Sequence, residues 1–234
     1  MRLHFSVLLL FSFLLPAAPV SANLDVHPMR VHVDAGRTTS IRVHAQSPRT
    51  QYVKATVKRV VAPATDAEHE VDLPPGDAAA LVVTPSMFAL AGGGSRLVRA
   101  IALAPVAEET AFRVYFEGVR GEDAATATDA AEAATATIGV SLVWGVLVNL
   151  LPAEGRIDTR LIDGSLHNTG TLRLGVRRIQ HCAADACTTH DIERSLYPGA
   201  ALALPFQPTA GSRLRVDYRL SRDGYREHQQ ILQP

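Results

Sequence analysis

The sequence predicts an all-β protein made of two immunoglobulin-like β-sandwiches. Three observations predict it. Short runs that alternate apolar with polar residues recur along the chain, Gly, Pro and Asp punctuate them, and no long amphipathic helical stripe intervenes. With 234 residues, 47% of them hydrophobic, the chain is long enough for two buried cores. The 23 basic residues balance 23 acidic ones, so no net field gathers polyanions and a nucleic-acid partner is not expected.

The elements follow in order. Arg2 precedes an apolar stretch, Val7 to Leu15, then Pro16, Pro19 and small residues ending at Ala22. This is the order of a secretory signal peptide, 1–22, and the stretch is too short to span about 30 Å of hydrocarbon. The mature protein is therefore expected outside the cytosol, without stable membrane insertion. Val31 and Val33, Ile41 and Val43, and Val53, Ala55 and Val57 alternate with polar neighbours. Leu97, Arg99 and Ile101 share one face of a further run. Phe112, Val114 and Phe116 oppose Arg113, Tyr115 and Glu117. Residues 122–137 contain only Ala, Thr and acidic residues; lacking a large apolar face to bury, they read as a mobile loop. A strongly apolar strand then runs from Ile138 to Leu151, where the first domain, 23–151, is expected to end. A second, 152–234, has Asp163-Gly164, Pro198-Gly199 and Asp223-Gly224 as turns, and its cleanest alternation at Leu214, Val216, Tyr218 and Leu220.

Phosphate-binding loops, HExxH and GxSxG motifs are missing, so catalysis, a cofactor and a resident metal are not expected. The two cysteines, Cys182 and Cys187, are an even count in an exported chain and favour a disulfide; a metal site completed by His181 and His190 is the alternative. In the Ile138 strand, Ile138, Val140, Leu142 and Trp144 alternate with small residues at first. Such a run is either a central core strand or an edge strand whose apolar residues serve a partner by strand addition.

The segments LDVHPMRVHVDAG, LVVTPSMFALAGGGSRLVRAIAL, AFRVYFEGV, ATIGVSLVWGVLVNLLP and DGSLHNTGTLRL, with the cysteine hairpin and YPG after them, span the mature chain. Together they resemble the periplasmic pilus chaperones of the chaperone–usher pathway, most closely the common-pilus (alpha-type) branch. The resemblance implies two immunoglobulin-like domains in an L shape around a cleft. It also implies a non-enzymatic role: lending an edge strand to fimbrial subunits that lack their last strand, and delivering them to an outer-membrane usher. The donor strand would present Ile138, Val140, Leu142 and Trp144, and the free form could self-associate through it. Arg30 matches one of two basic residues that anchor the subunit's C-terminal carboxylate. At the second position stands Leu147, so Arg113 is the expected substitute, with Arg99 as the other candidate. Leu151 replaces an arginine that often joins an internal salt bridge, so that bridge is expected to be missing. The rival readings are a secreted structural pilin or adhesin, which should carry an alternating apolar N-terminal extension, and a periplasmic thiol or metal protein.

Overall fold

The computed structural model describes residues 24–73, 80–119, 142–183 and 186–234, and every regular element among them is a strand. The proposed signal segment, Ile138, Val140 and the Ala/Thr-rich stretch lie outside the described residues. Ten strands form the first unit: β1 (Leu24–His27), β2 (Arg30–Val33), β3 (Thr38–Ala45), β4 (Gln51–Val61), β5 (His69–Asp72), β6 (Leu81–Thr84), β7 (Met87–Leu90), β8 (Ser95–Ala102), β9 (Thr110–Val119) and β10 (Val143–Leu150). One sheet runs β1-β3-β8-β6; the facing sheet runs β2-β10-β9-β4-β5, with β7 also on β4. Period-two alternation fills the space between them. Ile41, Val43, Val98, Val114, Phe116, Val146, Val148 and Leu150 are completely enclosed. In β8 the core takes Val98, Ala100 and Ala102, while Leu97 on the other face is half exposed.

The first strand changes sheets at Pro28, a residue with no backbone N–H for a ladder. β1 pairs antiparallel with β3, and β2 then pairs parallel with β10. That switch carries Arg30 onto the start of the second sheet. The GGG run turns the chain between β7 and β8, where the backbone crosses Pro48 so closely that a Cβ on Gly92 would lie 2.0 Å from the Pro48 carbonyl oxygen. Only a residue without a side chain fits there.

The second unit contains β11 (Thr159–Ile162), β12 (Ser165–Asn168), β13 (Leu174–Ala183), β14 (Ala186–Leu196), β15 (Ala201–Ala203), β16 (Arg213–Arg219) and β17 (Glu227–Leu232). Its sheets run β11-β12-β15 and β14-β13-β16-β17, around a separate core that includes Leu166, Leu174, Ile179, Leu214 and Val216. The Asp163-Gly164 turn has both residues at positive φ, +49° and +72°, as a tight hairpin of this twist requires.

Polar side chains join the two units. Glu109, ahead of β9, accepts hydrogen bonds from the Arg173 backbone N–H (2.8 Å), Asn149 Nδ2 (2.9 Å) and Ser221 Oγ (3.0 Å). Tyr197 Oη donates to Asn149 Oδ1 (3.0 Å). The Arg173 guanidinium pairs with the same carboxylate, Nε to Oε1 3.7 Å, and both side chains are almost fully buried. The sequence expectation of no internal bridge is therefore corrected: Leu151 cannot supply the cation, but Arg173 of the second unit does. Burial pushes the Glu109 carboxyl up, against the opposing pull of Arg173 and the donors around it. Burial also pushes the Tyr197 phenol up to about 12. Beside this network Leu147 packs with Val60, Ala111 and Tyr197 in a small apolar cluster.

Candidate functional site

Strand β10 is paired along its whole length on one flank and along only half of it on the other. Against β9 its register runs from Val143 opposite Glu117 to Leu150 opposite Thr110. Against β2 pairing begins only at Leu147, opposite Arg30, and continues to Leu150. Leu147 N–H donates to Met29 O (3.0 Å) and Leu151 N–H to Val33 O (2.9 Å), so odd-numbered residues turn their backbone groups toward β2. By the same alternation Gly145 and Val143 point theirs to that flank, where no described strand continues. Here is an open edge.

The side chains change character at the same place. Val146, Val148 and Leu150 fill the first core, and Trp144 packs half-buried at its rim. Leu142, next in that row, is 46% exposed, and Val143 is 50% exposed. The core-facing row thus runs out past the end of its own sandwich. On the opposite face Gly145 leaves room for its neighbours: a Cβ there would lie 3.0 Å from the Tyr115 ring and 3.3 Å from Arg113. Tyr115 Oη donates to Glu70 (2.7 Å), and its pKa is raised, first by burial and then by that carboxylate.

Arg30, Leu147, Arg113 and Lys58 stand in register across β2, β10, β9 and β4. Leu147 lies between the two arginines, whose Cα atoms are two strand spacings, about 10 Å, apart. Arg113 already has acidic partners, with Nη2 3.4 Å from Glu68 and Nε 3.1 Å from Glu70. Arg99 lies in the other sheet, opposite Ser40 and Thr84, and does not join this row. Arg30 is exposed and lines a cavity of about 250 Å³ together with Arg177, Glu193, Arg194 and Arg219 of the second unit. Sequence reasoning missed these second-unit cations, as it missed Glu109 and Arg173. Contacts that bridge 64 residues of chain leave no local spacing to read.

Cys182 and Cys187 face each other at the tip of the β13–β14 hairpin and are joined as a disulfide. His181 and His190 stack on Phe206, with ring centroids 4.7 and 4.6 Å away. The thiols are therefore not available as metal ligands, and among the described residues no group of three or more His, Cys, Asp or Glu could hold a metal.

No family model matches the chain. Over 211 residues, 86% of each chain, it is 32% identical to a CS1 fimbrial protein of Escherichia coli. Its fold matches the crystal structure of the class 5 fimbriae chaperone CfaA with a TM-score of 0.75 at 25% identity, covering 91% of this chain and all of that one. The chain belongs to the fimbrial chaperones. The fold of this chaperone also matches a chain in a chaperone–tip adhesin complex of CFA/I fimbriae biogenesis, with a TM-score of 0.72, 25% identity, and 90% and 98% coverage. The rival pilin reading fails on the first strand. Leu24 and Val26 of β1 are buried and bonded to β3 in this chaperone's own sheet, so they form no free apolar extension.

Proposed function

We propose that this chaperone works in the periplasm, binding fimbrial subunits by lending them the open half of β10, and then hands them to an outer-membrane usher. The observation that carries this reading is the two-flank asymmetry of β10. Where β2 ends, the backbone of Val143 and Gly145 is free to pair, and Leu142 extends the apolar row beyond its own core. A subunit lacking one strand would gain a ladder and a set of side-chain anchors. Ile138, Val140 and Leu142 buried in its groove would each contribute about 1.5–3 kcal/mol before ordering costs. That stabilises an incomplete fold while leaving it open to exchange for a better-fitting strand. Arg30, exposed at the inner end of the donor edge, is the proposed anchor for the subunit's terminal carboxylate, since a guanidinium can bind one bidentately. The complex with a tip adhesin formed by a structural relative supports subunits of this kind as partners. Placement in the common-pilus branch belongs to the same proposal, as does an exported chain with 1–22 removed.

Co-expression with class 5 fimbrial subunits in a bacterial periplasm tests the reading. A soluble one-to-one complex is expected with the cognate subunit, and Arg30→Glu is expected to abolish its recovery while leaving the chaperone folded. Undiminished recovery with Arg30→Glu would remove the anchor. Failure of every subunit to be captured by the wild type would remove the chaperone reading.

A further inference from the structure

The cavity beside Arg30 is built across both units. Five arginines line it (Arg30 from β2, with Arg173, Arg177, Arg194 and Arg219 from the second unit), and Glu193 is its one acidic residue. Three of the five have carboxylate partners: Arg173 holds Glu109, Arg177 holds Glu193 at 2.7 Å, and Arg219 holds Glu227 at 2.7 Å. Arg30 and Arg194 form no ion pair among the described residues. Two uncompensated guanidinium groups, one from each unit, therefore border one cavity.

The backbone around Arg194 is not regular sheet. The β13–β14 register slips between Val176 and Arg178, so Val176 faces Arg194 and Arg178 faces Asp191. Inside the slip Glu193 sits at φ +48°, a strained conformation for a residue with a side chain. Bulges of this kind redirect side chains, and this one sets Arg177, Glu193 and Arg194 along the same cavity. Gly175 keeps the wall thin, since a Cβ there would press to 3.2 Å from the Arg173 guanidinium.

We propose that Arg194 is the second cation of the cleft, so that a chain-terminal carboxylate is held between Arg30 of the first unit and Arg194 of the second. This rests on the proposed anchoring role of Arg30 and replaces Arg113 in it, because Arg113 would have to release Glu68 and Glu70 to bind an anion. Anchoring then spans the interface, and a bound terminus ties the two units together as the Glu109–Arg173 pair does. One carboxylate has two oxygens and four lone-pair directions, enough for a bidentate contact with one guanidinium and a further bond from the other.

Nitrogen-15 NMR of the arginine Nε groups in the full mature chain tests this, with N-acetylvaline as a minimal chain terminus and N-acetylvalinamide as its uncharged counterpart. The acid is expected to shift the Arg30 and Arg194 signals saturably, and the amide neither. Arg194→Gln is expected to weaken the acid about tenfold or more, the loss of one charge-assisted bond, while Arg113→Gln leaves it unchanged. If Arg113→Gln weakens binding and Arg194→Gln does not, Arg194 is overturned and Arg30 stands. If the acid shifts neither Arg30 nor Arg194, the anchor reading falls with it. Arg194 is exposed, and matching melting curves for the variants would show that lost binding is not lost folding.

Discussion

Glu109 shows what one residue does here. Its carboxylate is enclosed where the two units meet and accepts bonds from three residues of both, so truncation leaves Arg173 buried and uncompensated. Glu109→Gln should cost about 3–5 kcal/mol at neutral pH, measured by urea unfolding. The pH dependence has a definite sign. Burial raises this carboxyl above its ordinary 4.5 in the folded state, so its contribution is greatest below the unfolded value and is lost as pH rises through the folded one. The stability of the wild type relative to Glu109→Gln should therefore increase as pH falls from neutral toward 4.5. A difference that shrinks over that range would show the charge-stabilising partners, not burial, to be dominant.

At the scale of the element, β10 combines two kinds of strand in one run of sequence. Charge at Leu142 and Val143 meets water, so Leu142→Asp with Val143→Asp should change the chaperone's own stability by no more than about 0.5 kcal/mol per site and yet abolish subunit capture. Charge a few residues further on has the opposite outcome. Val146 is fully enclosed, and Val146→Asp should cost about 3 kcal/mol or more and unfold the first unit, seen as loss of its cooperative transition. Similar unfolding by both sets would mean that the 142–143 end is part of the core. The β13–β14 hairpin gives a milder case. Its disulfide closes a very short loop, so replacing both cysteines with serine should cost about 2 kcal/mol, read as a lower denaturant midpoint for the second unit.

For the molecule as a whole, the question is whether two sandwiches melt as one. Each has its own core, and what joins them is a buried polar network and the small cluster of Val60, Ala111, Leu147 and Tyr197. Glu109→Ala combined with Arg173→Ala should split a single calorimetric transition into two, because it removes the ion pair and leaves only small contacts to couple the units. If the double variant still melts in one step, the apolar cluster alone joins them.

The alternating residues of β3, β9 and β16 determined the fold class unaided, because period two and turn chemistry are local and each strand carries its own inside and outside. The cysteine pairing was also legible, since the bonded residues are five apart. The apolar run around Leu142 and Trp144 pointed to the donor strand, but could not say where core ends and open edge begins; that depends on β2, which arrives from more than a hundred residues earlier and stops at Arg30. Arg113 was a sound local choice of cation until Glu68 and Glu70 were folded against it. The bridge that replaces the one lost at Leu151, and the arginines that share a cavity with Arg30, come from the other sandwich. Charge pairing is decided by proximity in space, and only the packing of two separate cores brings those groups together.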